Sequence, residues 1–120
     1  MRPTLSATVL VLEENAAVQE LIDQTLRESG HRVLGTKDAL EAIELVRRVR
    51  IDVVVVGVLI GGQALVSELR VIQPGLRIVG MRDGDVDPEQ IDAAATLSSP
   101  FSLDELREAV AASLDSGRDR

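Results

Sequence analysis

The chain has 120 residues, of which 45% are hydrophobic, 28% charged and 1% aromatic, and its net charge is -7. This suits one domain with one core, and a core without aromatics must be Val, Leu, Ile and Ala, as in a parallel sheet covered on both faces. The acidic balance excludes broad binding to phosphate backbones, which needs clustered Lys and Arg. The absence of cysteine excludes disulfides and thiolate chemistry, and the single histidine, His31, excludes a His-rich metal site.

No apolar run approaches the roughly 20 residues of a membrane span, and Thr8–Leu12 is too short for a signal-peptide core. The cytoplasm is therefore the expected location. Residues 8–12 are apolar and end abruptly in Glu13 and Glu14, the pattern of a buried parallel strand. Asn15 caps a helix with Val18, Leu21, Ile22, Thr25 and Leu26 at helical spacing, and Gly30 stops it. Residues 31–34 predict a second, weaker strand. Asp38 opens a capping box with Glu41, and Ala39, Leu40, Ile43, Val46 and Val49 form the apolar stripe of the second helix. Residues 51–56 predict the most apolar strand, and its run of valines belongs in the centre of a sheet.

A loop over 57–62 leads to a third helix over 63–72 with Leu65, Val66 and Leu69, ended by Pro74 and Gly75. Residues 76–81 predict a fourth strand and 82–87 a polar loop. Pro88 fits the first turn of a short helix over 88–94. A fifth strand at 96–98 and a turn at Pro100 and Phe101 follow. Ser102 and Glu105 form a second capping box, and the last helix runs to residue 114, with Leu103, Leu106, Val110 and Leu114 on one face. Residues 115–120 are expected to fray.

The alternation of strand and helix predicts an α/β, flavodoxin-like, doubly wound parallel sheet of five strands in the order 2-1-3-4-5, with helices on both faces. The whole chain reads as a single domain with its core over 8–114. Working groups in such sheets lie past the carboxyl ends of the strands, which here means Glu13, Glu14, Gly57, Met81, Arg82, Asp83 and Ser99.

Four pieces of this sequence, in their order and spacing, resemble the receiver (CheY-like) domain of two-component response regulators across nearly all of residues 8–114. They are the apolar strand running into Glu13, Glu14 and Asn15; the strand Ile51-Asp52-Val53-Val54-Val55-Val56; the strand Ile78-Val79-Gly80-Met81; and Ser99-Pro100-Phe101, similar to the family's Lys-Pro-Phe. The resemblance implies phosphorelay-type signal transduction. It places the family's phosphoacceptor aspartate on Gly57, its switch Thr or Ser on Met81 and its lysine on Ser99, and leaves Glu13 and Glu14 as the acid pair. Glycine cannot accept a phosphoryl group, methionine cannot hydrogen-bond one, and serine brings no positive charge. The loops after Gly57 and Met81 are also shorter than the family's.

The expectation is thus a pseudo-receiver: an atypical receiver without cofactor or chemistry of its own. It would act by phosphorylation-independent contacts with other signalling proteins or an output domain, and bind neither nucleic acid nor membrane. The resemblance sets Pro100 and Phe101 at the border of the surface made by the short fourth helix, the fifth strand and the last helix. A homodimer through that surface is one expected assembly.

Several residues admit two readings. Glu13 and Glu14 either bind a divalent cation or are solvated carboxylates at a strand end; Mg²⁺ wants octahedral oxygen ligands, and a pair of acids is a poor cage. Asp83, Asp85 and Asp87 alternate like a calcium loop, but Pro88 and Ala94 stand where that loop needs Gly and Glu. Gly61 and Gly62 either cradle an anion or make a tight turn. Asp52, at the start of its strand, reads as a cap or ion-pair partner and not as a substitute phosphoacceptor. His31 reads as exposed, and Arg47, Arg48 and Arg50 as complements of a helix dipole. Two further functional classes stay open: a small-ligand or cation sensor using the space at Gly57, and a small hydrolase or phosphotransferase. The second needs an activated nucleophile, and Ser98, Ser99 and Ser102 have no partner His or Cys.

Overall fold

The computed structural model describes residues 7–57, 62–83, 95–99 and 102–116. In chain order the elements are β1 (Thr8–Leu12), α1 (Ala16–Glu28), β2 (Arg32–Thr36), α2 (Ala39–Arg48), β3 (Val53–Gly57), α3 (Gly62–Ile72), β4 (Arg77–Asp83), β5 (Ala95–Ser99) and α4 (Leu103–Ser116). The strands pair in parallel in the order β2-β1-β3-β4-β5, as expected. The short helix expected over 88–94 and the turn at Pro100 and Phe101 lie outside the described residues.

The central strands lack polar alternation because both faces of the sheet are covered. Val9, Val11, Val53, Val55 and Val79 point to one face, where Ile22 and Leu26 of α1 and Leu106 and Val110 of α4 close over them. Leu10, Leu12, Val54, Val56 and Ile78 point to the other, under Ala42, Ile43 and Val46 of α2 and Leu65, Val66 and Leu69 of α3. Burying such a side chain is worth roughly 1.5–3 kcal/mol, so these two layers supply most of the driving force.

The helix ends follow the sequence with one exception. Asn15 Oδ1 accepts from Val18 N at 3.1 Å and caps α1. At its other end Gly30 N donates to Arg27 O at 3.0 Å and His31 N to Leu26 O at 3.1 Å. This is a Schellman motif around Gly30, whose φ of 96° suits glycine. At α4 the box closes both ways: Ser102 N donates to Glu105 Oε1 at 2.7 Å, and Glu105 N to Ser102 Oγ at 3.0 Å. The box at α2 does not close. Asp38 Oδ1 accepts from Leu40 N at 3.0 Å, but Asp38 N donates to Thr36 Oγ1 at 3.1 Å, and the Thr36 hydroxyl in turn donates to Glu41. Thr36, just before the helix, has intercepted the reciprocal bond.

Three other expectations need correction. Leu40 is not part of the buried stripe: it is 72% exposed, and Ala42 is buried in its stead. Val18 and Leu21 are exposed as well, so α1 buries only Ile22, Thr25 and Leu26. Arg82 and Asp83 do not start a loop but extend β4, where they pair with Ser98 and Ser99 of β5.

Candidate functional site

The carboxyl ends of β1, β3, β4 and β5 converge on one pole of the sheet. Gly57, the last residue of β3, is in register with Met81 of β4, which is in register with Leu97 of β5. Ser99 stands two residues beyond that row, opposite Asp83. Met81 is 7% exposed and packs into the layer containing Val55, Val79 and Leu97. The middle of this pole is therefore a backbone position without a side chain beside a buried thioether.

Glu13 and Glu14 follow β1 as expected, but they do not converge. Glu13 is half-buried, and its Oε2 accepts from Asn15 N at 3.0 Å, so its carboxylate is folded back onto its own turn. Its N–H donates to Thr36 O at 3.1 Å. Glu14 is exposed. Among the described residues no group of three His, Asp or Glu side chains is placed to hold a metal ion. Pro100 and Phe101, the residues expected to border the surface made by the short fourth helix, the fifth strand and the last helix, lie outside the described residues.

Gln19 was not singled out by the sequence, yet it joins this pole together. Its Nε2 donates to Thr36 O at 2.7 Å and to Glu13 O at 3.4 Å, bracing the ends of β1 and β2 against α1. The signal was Gly35: a Cβ there would come within 3.2 Å of Gln19 Cδ. Glycine in a strand often marks such a close approach.

Asp52 and His31 sit at the opposite pole, where the strands begin. Asp52 Oδ2 accepts from Thr8 N at 2.9 Å, Asp52 N donates to Thr8 O at 2.9 Å, and Asp52 O accepts from Arg77 N at 3.1 Å. It ties the starts of β1, β3 and β4, in keeping with the capping role read for it. His31 is not exposed: it is half-buried, its Nδ1 accepts from Ala7 N at 3.1 Å, and burial pushes its pKa down.

A parallel 2-1-3-4-5 sheet with its candidate site at the ends of β1, β3 and β4 is the flavodoxin-like doubly wound fold, the fold that receiver (CheY-like) domains share. Comparisons with known proteins agree. Sporulation initiation phosphotransferase F of Bacillus subtilis is 22% identical over 114 residues, covering 88% of this chain and 92% of that protein. The probable transcriptional regulatory protein TcrX of Mycobacterium tuberculosis is 29% identical over 107 residues, covering 82% of this chain but 46% of that protein. The chain thus spans most of one relative and under half of the other. A response regulator from Thermotoga maritima superposes with a TM-score of 0.81 at 28% identity, covering 92% of this chain and 99% of that one. No family model matches the chain. These similarities support a response-regulator receiver domain of two-component signalling.

Proposed function

We propose that this chain is an atypical receiver domain that signals by protein–protein contact and not by phosphorylation of an aspartate. The observation that supports this most directly is the row Gly57–Met81 at the ends of β3 and β4. A phosphoryl acceptor at the end of β3 must be a side chain, and Gly57 has none. The neighbouring Met81 is packed into the core and has no hydroxyl to bind a phosphoryl oxygen. Glu13 is occupied by Asn15 N, which favours a structural carboxylate over half of a magnesium site.

On this reading the domain is not an enzyme and needs no cofactor. Its partners are other signalling proteins or an output domain, as the regulatory name of one relative fits. Self-association through β5 and α4 is one form such contact takes. A cytoplasmic location accords with the described residues, among which no helix is long and apolar enough to cross a membrane.

The test is a pair of backbone amide spectra of the full chain, with and without acetyl phosphate and Mg²⁺. The reading predicts superimposable spectra. Shifts concentrated at residues 12–15, 57 and 81–83 would overturn it, because they would report a phosphoryl group or a metal ion at the strand ends.

A further inference from the structure

At the pole where the strands begin, an open cleft of about 460 Å³ lies between the C-terminal end of α2 and the turn from α3 to β4. Arg47, Arg48 and Arg50 line it, so three of the chain's 13 basic residues fall within four positions on the rim of one cleft. A helix C-terminus ordinarily accounts for such a cluster, since cations offset its unmet carbonyls. Here several of the carbonyls at that end are already met by other groups. Gln73 Nε2 donates to Val46 O and to Val49 O, both at 2.7 Å, while Leu45 O accepts from Val49 N at 2.8 Å. The same Gln73 accepts from Ile51 N through Oε1 at 3.1 Å, so this amide caps two carbonyls of the helix end and ties it to the next strand without any arginine.

The arginines are correspondingly uncommitted. Arg48 approaches Glu44 at 3.8 Å in a pair whose side chains are 77% and 60% exposed, which is worth little. Arg47 and Arg50 are exposed and form no hydrogen bond or ion pair with a side chain among the described residues. Asp52 is the one acid in the lining, and its Oδ2 is engaged by Thr8 N. Three guanidinium groups against one engaged carboxylate leave a positive rim on a chain of net charge -7. Guanidinium groups match phosphate and carboxylate oxygens with paired donors, and a cleft focuses their field. The volume is in the range of small-molecule sites. No aromatic lines it, so recognition rests on charge and not on ring stacking.

We propose that this cleft binds a compact polyanion of the diphosphate or polycarboxylate class through Arg47, Arg48 and Arg50. The site lies at the opposite end of the sheet from Gly57 and stands or falls independently of the phosphorylation reading.

The test is an amide-shift titration of the full chain with sodium pyrophosphate, and separately with sodium citrate, each against chloride at matched ionic strength. The expected result is saturable shifts confined to residues 46–52 and 72–76. Charge reversal in an Arg47→Glu/Arg50→Glu variant should weaken them at least about tenfold, with the rest of the spectrum unchanged. Binding of both anions would define the ligand by charge alone, and binding of pyrophosphate only would define it as a phosphate compound. Shifts no larger than those from chloride, shifts spread over all basic residues, or an unchanged titration in the double variant would each overturn the proposal. So would binding of an oligoglutamate peptide where neither small anion binds, which would make the cleft a protein-docking surface.

Discussion

His31 shows how a single side chain couples this fold to pH. Its Nδ1 accepts a hydrogen bond from Ala7 N, which requires an unprotonated Nδ1, and burial lowers its pKa from the ordinary 6.5. The folded chain therefore binds this proton less readily than the unfolded chain. The contribution to stability is fully present above the unfolded value and is lost as pH falls through the folded one. Urea midpoints measured at about pH 7.5 and 5.5 should fall for the natural chain, and fall less for His31→Asn, whose side-chain oxygen can accept from Ala7 N without titrating. Equal falls would show that other groups carry the pH dependence. Gly57 and Met81 carry the proposed reading at the same scale: at one register of the sheet the first has no side chain and the second is a buried thioether, so neither offers a carboxylate or hydroxyl to a phosphoryl group.

At the scale of the element, what the sequence disclosed depended on how local the interaction was. The box of Ser102 with Glu105 and the cap of Asn15 on Val18 span three residues, and both form as read. The box of Asp38 with Glu41 looked equally good, but β2 runs on to Thr36 and delivers a hydroxyl to the helix start, a consequence of strand length that the capping pattern does not contain. Leu40 fitted the helical stripe by period, yet the covered face is centred on Ala42, Ile43 and Val46, because α2 packs against α3 and the sheet at that angle. Gln73 was unreadable and Gln19 was marked only by Gly35 for the same reason: each amide bridges segments 17 or more residues apart. The stop at Gly30 was legible, and it yields a prediction. With φ at 96° and open space around its Cα, Gly30→Ala should destabilise by about 1 kcal/mol through backbone strain alone, seen as a lower denaturant midpoint with unchanged slope. No loss would mean that α1 ends another way in solution.

Taken as a whole, the molecule has two unlike ends. The strand-end pole carries Glu13, Glu14 and the Gly57–Met81 row, and the strand-start pole carries Asp52, His31 and the arginine-lined cleft. Strand order was legible because an uninterrupted run of valines with an apolar strand before and after it leaves few other arrangements of a parallel sheet. The cleft was not legible, because the arginines had a sufficient local explanation until Gln73 was seen to cap two of the carbonyls at the helix end.

The central proposal is that this receiver-like chain does not become phosphorylated, and the intact mass of the chain after incubation with acetyl phosphate and Mg²⁺ tests it most directly. The account predicts an unchanged mass, because Gly57 offers no acceptor. A stoichiometric, base-labile phosphoryl adduct would contradict it and show that a carboxylate elsewhere in the chain is the acceptor.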